Sequence, residues 1–183
     1  SELEKLLREV EKIIRDSDDL LRRLEKRNRD LIRTSEKLLK EVKDDVDRVI
    51  RELERLLEEE RSEEVARRIE ELMREVEEKA KRLLKENEDI SRRSREDVRR
   101  VLETNKRLLD EIRRRVKDVL DRRKSEKAED VLRRIEKLLD DSRRRSEKVA
   151  KELEESNERS KRKTEKVLKE IKEALDRVRE KVK

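Results

Sequence analysis

Not one of the 183 residues is glycine or proline. Those two residues supply the positive and the fixed φ values on which tight turns, bulges and many caps depend, and ordinary domains spend roughly 12% of their residues on them. A chain without either has few turns to make, so it is restricted to a small number of long elements. The remaining alphabet selects their type. Charged residues make up 60% of the chain, and Cys, His, Phe, Tyr and Trp are absent. The rest is dominated by Leu, Arg, Lys and Glu, all good helix formers.

So high a charge would also suit a disordered chain, but disordered chains lack a regular apolar pattern. Here Leu3, Leu7, Val10, Ile14, Ser17, Leu21, Leu24, Asn28 and their successors to Leu57 take fifteen steps over 54 residues, or 3.6 per step. That is the α-helical period. The stripe breaks at Arg61, resumes at Val65, breaks again around Lys124 and resumes at Ala128. Three helices are predicted, over about 2–60, 63–123 and 126–182. Ser1, Ser62 and Ser125 sit where N-caps with acidic first turns belong. Arg61 and Arg122-Arg123-Lys124 place cations at the preceding C-termini, as the helix dipole favours.

The polar residues inside the stripes decide how the helices are arranged. If the chain folds back near residue 61, facing residues have numbers that add to a constant; Ser17 with Asn105, Asn28 with Ser94, and Ser35 with Asn87 all give 122. A second fold-back predicts 247, met by Asn105 with Ser142, Ser91 with Ser156, and Asn87 with Ser160. One unbroken helix, about 270 Å long, offers no reason for such agreement. The expected fold is all-α: an elongated up-down-up antiparallel three-helix bundle of roughly sixty-residue helices, about 90 Å long and a single domain over residues 1–183. A step of 3.6 rather than 3.5 predicts helices that are nearly straight.

Buried Ser, Thr and Asn must find partners, since an unpaired buried group costs about 1–3 kcal/mol. Three layers are expected: an upper one of Ser17, Asn105, Ser142 and Ser146, a middle one of Asn28, Ser91, Ser94, Ser156 and Asn157, and a lower one of Ser35, Asn87, Ser160 and Thr164. Their expected role is to fix helix register, because a one-turn slip buries unpaired amides. Thr34 and Thr104 fit the solvent face.

Chemistry has little to stand on. Without histidine, a serine nucleophile has only lysine for a base, and adjacent residues such as Ser160 and Lys161 diverge on a helix. Gly-rich phosphate loops and Glu-x-x-His metal pairs are impossible. No catalytic residue, cofactor or metal ligand is expected, Met73 reads as a core gap-filler, and the chain is not expected to be an enzyme. The net charge is +6, and Arg92-Arg93 with Arg95, Arg113-Arg114-Arg115 and Arg143-Arg144-Arg145 offer only weak, nonspecific attraction to nucleic acid through helices 2 and 3. Interleaved acids and the absence of stacking aromatics exclude specific nucleic-acid recognition. No apolar run reaches the roughly 20 residues that span a membrane, and Ser1-Glu2-Leu3-Glu4 is not a targeting signal. A soluble monomer requiring no partner is expected, cytoplasmic in an expression host and without a natural compartment. The competing reading is a bundle component that self-associates or accepts a fourth helix beside the apolar-poor stretch from Asp140 to Lys166.

The polar set Ser17, Asn28, Ser35, Asn87, Ser94, Asn105, Ser142, Asn157 and Ser160 within Leu/Ile/Val stripes, with Ser caps and surfaces of Glu, Lys, Arg and Asp, resembles the style of de novo designed helical bundles with buried hydrogen-bond networks. The resemblance covers the whole chain through style rather than a motif. It implies a structural scaffold or assembly component without substrate. Natural elongated three-helix units such as spectrin-like repeats usually keep core tryptophans, which this chain lacks.

Overall fold

A computed structural model describes residues 2–60, 62–122 and 126–182. Three α-helices hold nearly all of them: α1 Glu2–Leu57, α2 Glu63–Arg122 and α3 Glu126–Val182. They pack together as an all-α three-helix bundle. Cross-helix ion pairs give the direction of each helix. Glu2, Glu9 and Arg27 of α1 meet Arg122, Arg115 and Asp97 of α2, so α2 runs back along α1. Arg134 and Arg145 of α3 meet Glu11 and Asp18, and Lys163 meets Glu36, so α3 runs with α1.

The helix ends are made without glycine. α1 stops at Leu57 rather than near residue 60, because Glu58-Glu59-Glu60 would add three carboxylates at the negative end of its dipole. Glu58 N donates to Arg55 O and Glu59 N to Leu56 O, each at 3.2 Å, a tightening that satisfies two terminal carbonyls. Ser62 caps α2: its Oγ accepts from Val65 N at 3.2 Å, and its carbonyl accepts from Ala66 N at 3.0 Å. In the last described turn of α2 the Arg122 side chain donates to Asp118 O at 3.2 Å, and residues 123 and 124 of the expected basic run lie outside the described residues. Among the described residues no backbone adopts a positive φ. The caps expected at Ser1 and Ser125, and the cation at Arg61, lie outside the described residues.

Packing divides the chain, which the sequence reading treats as one domain, into two units, each drawing a segment from all three helices. One comprises Ser1–Arg29 with Ser94–Glu155, the other Asp30–Arg93 with Ser156–Lys183. The first is centred on an apolar cluster that includes Val10, Ile112, Ala128, Ile135 and Leu139. The second is centred on Leu53, Ile69, Leu72, Val76 and Leu83, closed by Ile171 and Leu175. Met73 packs at the edge of that cluster, as expected of a gap-filler.

In α1 one series of buried positions recurs every seven residues, two steps of 3.5 rather than 3.6. In α1, Ile14, Leu21, Asn28, Ser35, Val42, Val49 and Leu56 are all buried. This corrects the stripe at several points: Leu6, Val49, Leu56, Leu109 and Val119 are buried, while their neighbours Leu7, Ile50, Leu57, Leu108 and Leu120 are only partly so. A side chain seated between two neighbouring helices must return every 3.5 residues to stay in the seam, as in coiled coils. Each of these sites carries two adjacent apolar residues, and the seam uses one of them.

Candidate functional site

The feature that stands apart from an ordinary apolar core is, among the described residues, a set of nine buried polar ones: Ser17, Asn28, Ser35, Asn87, Ser94, Asn105, Ser142, Ser146 and Thr164. They occupy seam positions that the helical period fills with Leu, Ile or Val elsewhere, so the backbone holds them inward whatever their chemistry. All nine belong to the layers expected from the sequence. The other four, Ser91, Ser156, Asn157 and Ser160, are partly exposed. Thr34 and Thr104 face solvent, each turning its hydroxyl onto the carbonyl one turn back, at 3.0 and 2.9 Å.

In the second unit the hydrogen bonds converge on Asn87. Its Nδ2 donates to Ser35 Oγ at 2.9 Å and to Thr164 Oγ1 at 2.7 Å, so one amide joins all three helices. Thr164 in turn donates to Ser160 O at 3.3 Å, and Ser160 Oγ donates to Ser35 Oγ at 3.5 Å. In the first unit Ser94 Oγ donates to Asn28 Oδ1. Asn105 Nδ2 donates to Ser146 Oγ at 3.3 Å, and Ser146 donates to Ser142 O at 3.0 Å. Three buried atoms there, Ser17 Oγ, Asn105 Oδ1 and Ser142 Oγ, have no hydrogen-bond partner among the described residues.

The contacts between α1 and α2 keep the expected constant: Asn28 with Ser94 and Ser35 with Asn87 both add to 122. Those between α2 and α3 do not. Asn105 bonds Ser146 and Asn87 bonds Thr164, so the constant is 251 rather than 247. Of the two α3 residues expected in each of these layers, Ser146 and Thr164 are the amide's partners, and Ser142 and Ser160 stand one helical turn away. The reason is local. A buried Ser or Thr donates its proton to its own helix four residues back, which turns its oxygen outward as an acceptor for the asparagine across the seam. A signal for this lies in the sequence: Ser146, Asn157 and Thr164 repeat the eleven- and seven-residue spacings of Ser17, Asn28 and Ser35.

With that geometry in hand, comparison with solved structures finds a chain described as a computationally designed three-helix bundle, 18% identical, with a TM-score of 0.60 over 98% of this chain and 91% of that one. The shared fold is the three-helix bundle. No family model and no curated protein matches the sequence.

Around the bundle the chemistry is that of a solvated ionic surface. Arg115 donates to Glu9 at 2.7 Å and Arg145 to Asp18 at 3.1 Å. Arg143 pairs with Asp140 and Arg92 with Asp89. Each basic run is therefore tied to at least one carboxylate. Asp45 is held below the ordinary carboxylate range, first by its hydrogen bond from Lys79 and then by that from Arg48. Arg68 is raised by Glu52, and Arg82 by Glu86. Ser160 donates its proton to Ser35, while the adjacent Lys161 is exposed. Among the described residues no group of three or more acidic side chains is arranged to hold a metal ion, and no helix is long and apolar enough to cross a membrane.

Proposed function

We propose that this chain is a designed structural scaffold with no natural biochemical activity, whose buried polar layers specify which residues of the three helices face each other. The observation that carries the reading is the Asn87 amide bonded at once to Ser35 of α1 and Thr164 of α3. A slip of one turn in any helix removes an acceptor from that amide inside a closed core, at about 1–3 kcal/mol for each group left bare. Likeness of fold to a computationally designed bundle supports the designed origin. The scaffold is a monomer that needs no partner. Attraction of nucleic acid is the weaker reading, since Arg115, Arg145, Arg143 and Arg92 already face carboxylates.

The test replaces Asn28, Asn87 and Asn105 together by Leu. If the layers serve register, the variant melts at a higher temperature, because apolar side chains fill a core more favourably than amides. Light scattering coupled to size exclusion then finds mixed oligomers, or NMR finds multiple registers. A variant that melts lower than the parent and remains uniformly monomeric would show that the amides contribute stability alone.

A further inference from the structure

The layer of Ser17, Asn105, Ser142 and Ser146 and the layer of Ser35, Asn87, Ser160 and Thr164 are related position by position. Moving eighteen residues along each helix, forward in α1 and α3 and backward in α2, carries every member of the first onto one of the second. Seven of the eight residues are buried and Ser160 is partly so, which allows the two layers to be compared residue by residue. Yet the two layers are not equally satisfied. Asn87 donates to both Ser35 and Thr164, whereas Asn105 donates only to Ser146. Ser17 Oγ, Asn105 Oδ1 and Ser142 Oγ are left without a hydrogen-bond partner among the described residues, although their residues are 3%, 2% and 0% exposed.

The orientation of Asn105 is fixed by chemistry. Ser146 gives its one proton to Ser142 O, so it can only accept, and the amide must turn Nδ2 towards it and Oδ1 away. Oδ1 then needs a donor. The hydroxyls of Ser17 and Ser142 each have a proton to give and lone pairs to offer. The two layers differ in residue type at one position, where Ser146 stands for Thr164.

We propose that this layer is a buried solvent site that takes one water molecule, held by Asn105 Oδ1, Ser17 Oγ and Ser142 Oγ. Water fits the chemistry of the three atoms. One proton goes to the amide oxygen, the second to one serine, and a lone pair accepts from the other, which gives the three bonds typical of buried waters. A larger polar ligand would not fit between side chains with so little exposure. The site rests on the unpartnered atoms alone, so failure of the register reading with the Asn-to-Leu variants would leave it standing.

The experiment is oxygen-17 magnetic relaxation dispersion on the full chain, which counts long-lived waters, followed by a high-resolution crystal structure to place the water. The expected result is a dispersion that loses the equivalent of one water in the Ser17→Val/Asn105→Leu variant and keeps it in Thr164→Val. In the crystal, a solvent peak should lie about 2.7–3.0 Å from all three atoms. If the double variant does not fold, Ser17→Val alone, which places a methyl in the site, is expected to show the same loss. An unchanged dispersion overturns the proposal. So does a crystal structure in which Ser17 and Ser142 bond the carbonyls of Ile13 and Leu138 with no solvent peak between them.

Discussion

Replacing Thr164 by Val is the sharpest probe of the Asn87 layer, because the exchange keeps volume and shape while removing one oxygen. Thr164 is 2% exposed; its Oγ1 accepts from Asn87 at 2.7 Å and donates to Ser160 O at 3.3 Å. Losing the second bond costs little, since that carbonyl also receives the helical amide of residue 164. Losing the first strands an N–H of Asn87 in a closed core, at about 1–3 kcal/mol. The added methyl returns about 0.8 kcal/mol. The net expectation is a destabilisation of about 0.2–2 kcal/mol. In an Asn87→Leu background no amide remains to be stranded, so the same exchange should stabilise, by up to about 0.8 kcal/mol. The sign therefore reverses, and the difference between backgrounds, about 1–3 kcal/mol, is the coupling of the pair. Urea unfolding followed by far-UV circular dichroism measures it. Native-state hydrogen exchange at Leu83, Val167 and Ile171 reads the same unit directly. Should Thr164→Val shift stability equally in both backgrounds, to within about 0.5 kcal/mol, the hydrogen bond has no energetic content and the layer does not couple α2 to α3.

Three further outcomes follow from the same structure. Leu83→Ala and Ile135→Ala each empty a fully enclosed site and should cost about 2–5 kcal/mol; exchange protection should fall mainly in the second unit for the first and in the first unit for the second. Ser62→Ala removes the acceptor for Val65 N and should lower stability by about 1 kcal/mol, with exchange accelerated in the first turn of α2. Asp45 is held below its ordinary range by Lys79 and Arg48, so it contributes stability above the unfolded carboxylate value and loses it as the pH falls through the lower folded one. The gap between the parent and Asp45→Asn in urea titrations should be open at neutral pH and close progressively below about pH 4.

Much of this arrangement is legible in the sequence. The three helices follow from period and the lack of turn residues, and the α1–α2 pairing follows from Ser17, Asn28 and Ser35 set against Asn105, Ser94 and Asn87. The seam itself is harder to read. Where Leu6 and Leu7, Val49 and Ile50, or Leu56 and Leu57 stand side by side, hydropathy does not say which is enclosed; the 3.5-residue return imposed by two neighbouring helices does. The α2–α3 register departs from the sequence expectation by one turn for a comparable reason. Composition treats Ser142 and Ser146 as equals, whereas the back-bond of Ser146 to Ser142 O makes one of them the acceptor that Asn105 needs.

The spacing of the polar layers has one more consequence. From Ser17 to Asn28 is eleven residues and from Asn28 to Ser35 is seven; α2 repeats these intervals in reverse at Asn105, Ser94 and Asn87, and α3 repeats them at Ser146, Asn157 and Thr164. The three distances on each helix, seven, eleven and eighteen residues, are all different. A ruler marked at such intervals has the property that, slid along a copy of itself, it brings at most one pair of marks into coincidence. Evenly spaced layers would fall back into step after a slip of one interval, as identical teeth do on a rack. Here any slip of α2 along α1 that lines up one pair leaves the other marks facing apolar or charged residues, so the chain has one position in which all three coincide.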